Sequence, residues 1–391
     1  MKESNTQQSF KSLLRPLIAA VISAAAVSFP VQADEPFRPE VMSVEQHIAP
    51  GANVFLNQAG WDGASRIHVY GQDDLKYKGS MPAGLTAQVV ISKDGKTAYV
   101  LSDFLKRMVY GPTESVVAVY DVATLSRKTE IIVPNKAVKA LAMHNLLELS
   151  ADESLLYVQN ATPATSVTVV DLATGSVLQE IPTPGCYGVY PALKGTRFTT
   201  VCGTGQLKTI SVTGKEYSVS ASDKIFDADT DPLYVPALRR KSGELVMTTF
   251  GGALYLIDDS GKTAKLKDKL QINAGVEGNW APGGSVTTAY NAELDTAFVL
   301  MHPDAYDGSH KNASAEIWAY SLKGKKLLSR SEAAGLIAVG VSQGKNPVLF
   351  GANEEEETVE RFAASDAKSF VFSKTGSDAK AGWVTQVETG L

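Results

Sequence analysis

A unit of four short apolar strands recurs along this chain, and that repetition constrains the fold more than any other feature of the sequence. Residues 89–133 contain a strand, a tight turn, a second strand and then two further strands, and residues 147–181 repeat this order. Weaker copies lie at residues 54–80, 191–220, 236–272, 289–330 and 338–373. Seven units after the first 33 residues average about 51 residues each, which is typical of a four-stranded propeller blade.

The repeat predicts an all-β fold, a seven-bladed β-propeller with four-stranded antiparallel blades, over residues 34–391. The first unit lacks one strand, whereas residues 382–391 form a strand that belongs to no unit. We expect this C-terminal strand to pair with the first blade and close the ring, because pairing removes an open sheet edge. A pair of β-sandwiches is the alternative, and the lack of a linker near the middle of the chain disfavours it.

The first 33 residues have the pattern of a secretory signal peptide. Lys2, Lys11 and Arg15 precede an apolar run at residues 17–27, and residues 31–33 offer a small-x-small cleavage site. The apolar run is shorter than the roughly 20 residues of a membrane-spanning helix, although an uncleaved anchor is the alternative. The sequence therefore predicts an exported chain, with residues 1–33 removed and no membrane span.

Charge and cysteine content narrow the classes of protein further. A formal net charge of −5 argues against nucleic-acid binding, which needs a concentrated basic surface. The chain has only two cysteines, Cys186 and Cys202, at the ends of two predicted neighbouring strands. In an oxidising compartment we expect a disulfide between them. A catalytic thiol is the alternative, but no histidine lies near either cysteine in the sequence.

The sequence contains no motif of a self-sufficient enzyme. It lacks a Gly-x-Ser-x-Gly elbow, a phosphate-binding loop and a His-Glu-x-x-His helix. Residues 302–311 hold His302, His310 and two aspartates, which makes a metal site conceivable, but no ligand spacing fixes their geometry. We therefore expect no catalytic residue, no cofactor-binding residue and no metal site on this chain.

Several segments together carry a resemblance to a known family: Gly185-Cys186-Tyr187 with Val201-Cys202-Gly203, residues 159–166, residues 279–284 and residues 301–318. In this order and spacing they resemble the heavy subunit of the amine dehydrogenases. The resemblance covers essentially the whole chain after the signal peptide. It is closer to the heavy chain of aromatic amine dehydrogenase than to that of methylamine dehydrogenase.

The resemblance implies a periplasmic propeller that is one subunit of a quinone-dependent amine dehydrogenase. Two such heavy chains would pair with two small disulfide-rich light chains, which carry the tryptophan tryptophylquinone cofactor. A primary amine would be oxidised to an aldehyde and ammonia, and a small blue-copper protein, azurin-like or amicyanin-like, would accept the electrons. The heavy chain would wall the substrate channel and exclude water from it.

The resemblance also suggests two substrate-channel residues, Leu85 and Asn160. At the position of Leu85 the family has an aromatic side chain that lines the channel, so an aliphatic residue here puts the preferred amine in doubt. Leu85 as ordinary strand core is the alternative. Asn160 lies in the best-matched segment and is a second candidate near the light chain. Two other functions stay open: a self-contained, lactonase-like hydrolase with a metal in the central funnel, and a free-standing binding propeller.

Overall fold

Seven antiparallel sheets make up the computed structural model, which describes residues 44–60, 63–139, 141–365 and 369–389. Blade 1 contains β1 (Asn53–Gln58), β2 (Arg66–Gly71), β3 (Tyr77–Pro82) and the last strand, β29 (Val384–Thr389). Blade 2 contains β4 (Leu85–Ile91), β5 (Thr97–Arg107), β6 (Tyr110–Asp121) and β7 (Ser126–Val133). Blade 3 contains β8 (Leu147–Leu149), β9 (Leu155–Asn160), β10 (Ser166–Asp171) and β11 (Ser176–Pro182).

The remaining four blades follow in chain order. Blade 4 contains β12 (Cys186–Pro191), β13 (Phe198–Cys202), β14 (Leu207–Thr213) and β15 (Glu216–Ala221). Blade 5 contains β16 (Leu233–Arg239), β17 (Leu245–Thr249), β18 (Ala253–Asp258) and β19 (Lys265–Gln271). Blade 6 contains β20 (Ala281–Pro282), β21 (Thr288–Asn291), β22 (Thr296–His302), β23 (Glu316–Ser321) and β24 (Lys326–Glu332). Blade 7 contains β25 (Leu336–Val341), β26 (Val348–Asn353), β27 (Thr358–Ala364) and β28 (Phe372–Asp378). The predicted seven-bladed β-propeller is confirmed.

The C-terminal strand closes the ring, as the sequence predicts. β29 pairs antiparallel with β1, with Leu56 opposite Val387, and becomes the innermost strand of blade 1. Polar side chains fasten this closure to blade 2: Asn57 donates to the carbonyl of Ala87 at 2.9 Å, and Gln386 donates to that of Val89 at 3.0 Å. Backbone pairing therefore joins β29 to β1, and side-chain hydrogen bonds join both strands to blade 2.

Each pair of neighbouring blades buries one apolar core between them. Between blades 3 and 4, for example, Tyr157 and Val169 of one blade pack against Val189 and Phe198 of the next, and all four are fully buried. Full burial of one such side chain contributes about 1.5–3 kcal/mol, so the cores between blades hold the ring together. The ring's stability is therefore shared among interfaces that no single blade could form alone.

Two innermost strands depart from the regular pattern. In blade 6 the innermost strand is split into β20 and β21, because residues 283–287 turn away and Gly284 approaches Ile337 of blade 7 too closely to admit a side chain. In blade 3 the innermost strand β8 is only three residues long, since the preceding residues leave the sheet for the centre of the ring. Among the described residues no helix is long and apolar enough to cross a membrane. The predicted signal peptide, residues 1–33, lies outside the described residues.

Candidate functional site

The segments that carry the family resemblance lie on one face of the ring. We call the side at which the innermost strands begin the upper face and the opposite side the lower face. Because every strand is antiparallel to its neighbour, the start of β4, the β9–β10 loop, the start of β12 and the β22–β23 loop all lie on the upper face. Sequence-distant residues are therefore gathered on a single surface.

Leu85 is held at the upper end of the innermost strand of blade 2. It is half-buried and lies opposite Asp103 of β5. The preceding Gly84 approaches the Asp103 carbonyl so closely that a Cβ would lie 2.1 Å from the oxygen, and its N–H donates to Ser102 at 2.9 Å. Thr86 follows with a φ of +48°, and the strand bulges before Gln88. This tight local geometry constrains the backbone on both sides of Leu85; the role of Leu85 in a substrate channel stays a prediction.

Asn160 lies at the upper end of β9 and is fully buried. Its amide donates to the hydroxyls of Ser166 and Thr168 at 2.9 and 2.8 Å, whereas its side-chain oxygen has no hydrogen-bond partner. These hydrogen bonds hold the β9–β10 loop in place. A place for Asn160 in the channel wall stays a prediction.

The predicted disulfide is present. Cys186 and Cys202 face each other across β12 and β13, and their sulfurs are bonded at 2.08 Å. Beside the bridge, an apolar cavity of about 330 Å³ opens between blades 4 and 5, with Tyr187 and Phe226 in its wall. Burial raises the pKa of Tyr187 to about 12, so this phenol stays neutral at physiological pH.

The histidines of residues 302–311 are engaged in packing. His302 is buried at the end of β22, and its Nδ1 lies 2.8 Å from the carbonyl oxygen of Pro303. His310 stacks on Phe250 of blade 5, with ring centroids 4.1 Å apart. In the part of the chain that the structure describes, no group of three His, Cys, Asp or Glu side chains could hold a metal ion.

A segment of the chain itself occupies the centre of the ring. This central segment, residues 141–146, joins the stretch after β7 to the short strand β8. Its backbone carbonyl and amide groups bond to Gln88 of blade 2, and Asn145 bonds to Val189 of blade 4 and to the amide of Ala237 of blade 5. His144 reaches Glu388 of blade 1 at 2.7 Å. Contacts to blades on both sides of blade 3 place these residues inside the ring.

The central segment brings three titratable groups together. Burial alone would lower the pKa of His144, but the charge and hydrogen bond of Glu388 outweigh it and raise this pKa. Burial, followed by the charge of Glu388, raises the pKa of Glu148 to about 8. Glu148 accepts hydrogen bonds from the backbone and side-chain nitrogens of Asn145, both at 3.0 Å. His144 and Glu148 line a cavity of about 340 Å³ that opens toward the lower face.

This cluster is the feature that sequence reasoning missed. Glu148 and Glu388 are 240 residues apart and meet only because β29 closes the ring. The one available signal was the gap of 13 residues between the end of β7 and the start of β8, which is longer than a blade connection needs.

The chain matches the family described as methylamine dehydrogenase heavy chain (MADH) over residues 54–382. This range begins in β1 of blade 1 and ends just before the closing strand β29. The chain belongs to the methylamine dehydrogenase heavy chain family. The predicted relationship to amine dehydrogenase heavy chains is confirmed, and the closer resemblance to the aromatic amine subfamily stays a prediction.

Relatives within the family align with most of this chain. The methylamine dehydrogenase heavy chain of Methylorubrum extorquens is 26% identical over 78% of this chain and 75% of its own length. That of Methylophilus methylotrophus is 23% identical over 82% of this chain and 81% of its own. The sequence of this chain has thus diverged well away from both relatives.

Solved structures outside the family share the fold. A periplasmic gluconolactonase of Pseudomonas aeruginosa superimposes with a TM-score of 0.62 at 14% identity, over 87% of this chain and 99% of its own. A putative 6-phosphogluconolactonase of Bacteroides fragilis gives 0.61 at 10% identity, over 90% and 99%. At such identities the likeness concerns the propeller fold alone.

Proposed function

We propose that this heavy chain is the large, non-catalytic subunit of a periplasmic, quinone-dependent amine dehydrogenase. Two copies would assemble with two small disulfide-rich light chains that carry tryptophan tryptophylquinone, the group that supplies the redox chemistry. The complex would oxidise primary amines to aldehydes and ammonia and pass electrons to a small blue-copper protein. The family match across the blades supports the assignment to an amine dehydrogenase, and the predicted signal peptide supports the compartment.

The observation that carries this proposal is the family match over residues 54–382. The occupied centre of the ring disfavours the alternative of a hydrolase with a metal in an open central funnel, because residues 141–146 are bonded across the centre to four blades. The upper face, with Leu85, the disulfide and the 302–311 loop, would receive the partner, because the segments that resemble the family lie there. A partner seated there would bring its own redox group to a rigid, preformed wall.

The residues of this chain would form the wall of the substrate channel and take no part in the chemical step. Leu85 would form part of the wall past which the amine enters, on a strand that Gly84 and Asp103 hold in place. An interface of obligate size around that wall would keep water from the reacting groups of the light chain. Because Leu85 is smaller than an aromatic ring, the channel beside it would admit a differently shaped amine.

The direct experiment separates subunit from self-sufficient enzyme. The chain is purified alone and, in parallel, after co-expression with the light chain and its maturation proteins, and amine-dependent dye reduction is measured for both. We expect activity only in the co-expressed complex. Dye reduction by the lone chain, or a complex without amine activity, would contradict the proposal. Hydrolysis of lactones by the lone chain, lost with chelator, would instead support the hydrolase alternative.

A further inference from the structure

One hairpin of the ring projects beyond the upper face. Its strands β5 and β6 contain 11 and 12 residues, whereas the two middle strands of every other blade contain five to seven. The pairing continues above the level of Leu85 through Phe104 with Glu114 and ends with Arg107 opposite Tyr110. Arg107 lies four residues beyond Asp103 along β5, so at about 3.3 Å per residue the tip extends roughly 13 Å farther.

The tip of this hairpin is apolar and exposed. Met108 is 90% exposed, Val109 77% and Tyr110 63%. Two-residue hairpin turns normally use Asn, Asp or Gly, and Met108 here adopts a φ of +57°, a region that favours glycine. The residues at the tip are therefore poorly explained by the needs of the turn. Contiguous exposed apolar side chains of this kind mark interaction sites.

The tip also has the composition of an interface contact. The Arg107 guanidinium lies over the Tyr110 ring, 5.1 Å from the ring centroid. Lys106, directly before Arg107 in the chain, adds a second positive charge. Tyrosine and arginine dominate binding energy at protein interfaces, and methionine adapts to irregular pockets. A partner that fits this tip has an apolar pocket with carboxylates at its rim.

The base of the hairpin is joined to the predicted channel wall. Asp103, opposite Leu85, receives a hydrogen bond from Ser115 and an ion pair from Lys139 at 2.6 Å. The hairpin is thus rigid at the level of Leu85. A protein that covers Leu85 would therefore have this hairpin, which rises about 13 Å above that level, directly beside it.

We propose that the tip of the β5–β6 hairpin, residues 107–110, is a principal docking contact for the light chain and inserts into an apolar, acid-rimmed pocket on it. This inference rests on the proposed function, because that function supplies the partner over Leu85. It goes further by naming the contact and the surface that the light chain presents to it.

The test uses the complete heavy chain co-expressed with its light chain. In the double variant Met108→Ser, Val109→Ser the tip becomes polar while both strands keep their pairing. We expect at least a tenfold weaker affinity for the light chain, measured by retention on tagged heavy chain and by titration, with an unchanged melting temperature. The matched control is Leu193→Ser, an exposed apolar residue in a lower-face turn, which should bind as the unaltered chain does.

The outcomes distinguish the inference from the function on which it rests. If the double variant binds the light chain as tightly as the unaltered chain, the docking role is wrong and the proposed function stands. If the double variant loses self-association while keeping the light chain, the tip contacts a second copy of this chain instead, and the inference is again overturned. If the unaltered chain retains no light chain, the proposed function fails, and the partner assigned to the tip fails with it.

Discussion

At the scale of single residues, the central segment shows how ring closure creates an environment that no local sequence has. His144, Glu148 and Glu388 meet in the interior of the ring, where the pKa values of His144 and Glu148 are raised. A folded-state pKa above the unfolded value means that protonation stabilises the fold. The stabilisation is complete below the unfolded pKa and is lost as the pH rises through the folded pKa.

Glu148→Gln tests this arrangement. The unfolded pKa of Glu148 is near 4.5 and the folded one about 8, so the unaltered chain should lose stability as the pH rises across that interval. Glutamine is always neutral and can still accept from Asn145. We expect the variant to be more stable than the unaltered chain at pH 8.5, by at least about 1 kcal/mol, with a flatter dependence on pH.

The measurement is denaturant unfolding between pH 5 and 8.5. Glu355→Gln, in the exposed turn at residues 354–357, is the control and should follow the unaltered chain at every pH. Identical pH profiles for Glu148→Gln and the unaltered chain would show that Glu148 is not held protonated.

Leu85→Phe tests the predicted channel wall in the active complex. A phenyl ring would narrow the passage, so kcat/KM for bulky amines should fall more than kcat/KM for methylamine, roughly tenfold in the ratio, or about 1.4 kcal/mol of discrimination. Leu193→Phe on the lower face is the control, with no change in that ratio. An unaltered ratio in Leu85→Phe would return Leu85 to the role of ordinary strand core.

At the scale of elements, the sequence predicts most of what the structure contains. Strand repetition, the disulfide and closure by the C-terminal strand could all be predicted, because each depends on local pattern or on an incomplete first unit. The split of β20 and β21 could not, since it depends on the backbone of Gly284 meeting Ile337 in the next blade. The central segment was missed for the same reason: its partners lie on four blades, and no local periodicity encodes them.

The site was less predictable than the fold. Leu85 and Asn160 were predicted from the resemblance alone. The sequence does not show that Leu85 is half-buried whereas Asn160 is fully buried. The length of β5 and β6 could not be predicted either. In sequence, the apolar residues of an exposed turn look the same as the apolar residues of a strand.

The disulfide gives the element-scale prediction. Cys186→Ser should lower the free energy of unfolding by about 2–4 kcal/mol, because the bridge restricts a loop of 16 residues in the unfolded chain. Cys202→Ser should cost the same, since either change removes the same bond. The check is thermal and denaturant unfolding under oxidising conditions. An unchanged melting temperature in both variants would mean that the bridge does not contribute to stability.

At the scale of the whole molecule, the two faces of the ring differ in what they carry. The ring is closed by β29, its centre is occupied by residues 141–146, and the upper face carries the segments that resemble the family. Under the proposed function, a propeller built in this way is a rigid support for a partner that supplies the redox chemistry. We expect the lower face, with its cavity at His144 and Glu148, to take no part in that contact.

Hydrogen–deuterium exchange of the heavy chain, with and without its light chain, measures this division most directly. The account predicts slower exchange on binding in the upper-face loops at residues 82–86, 161–165 and 203–206. Exchange in the lower-face turns at residues 92–96 and 192–197 should not change. Protection of the lower-face turns with no change in the upper-face loops would contradict the account.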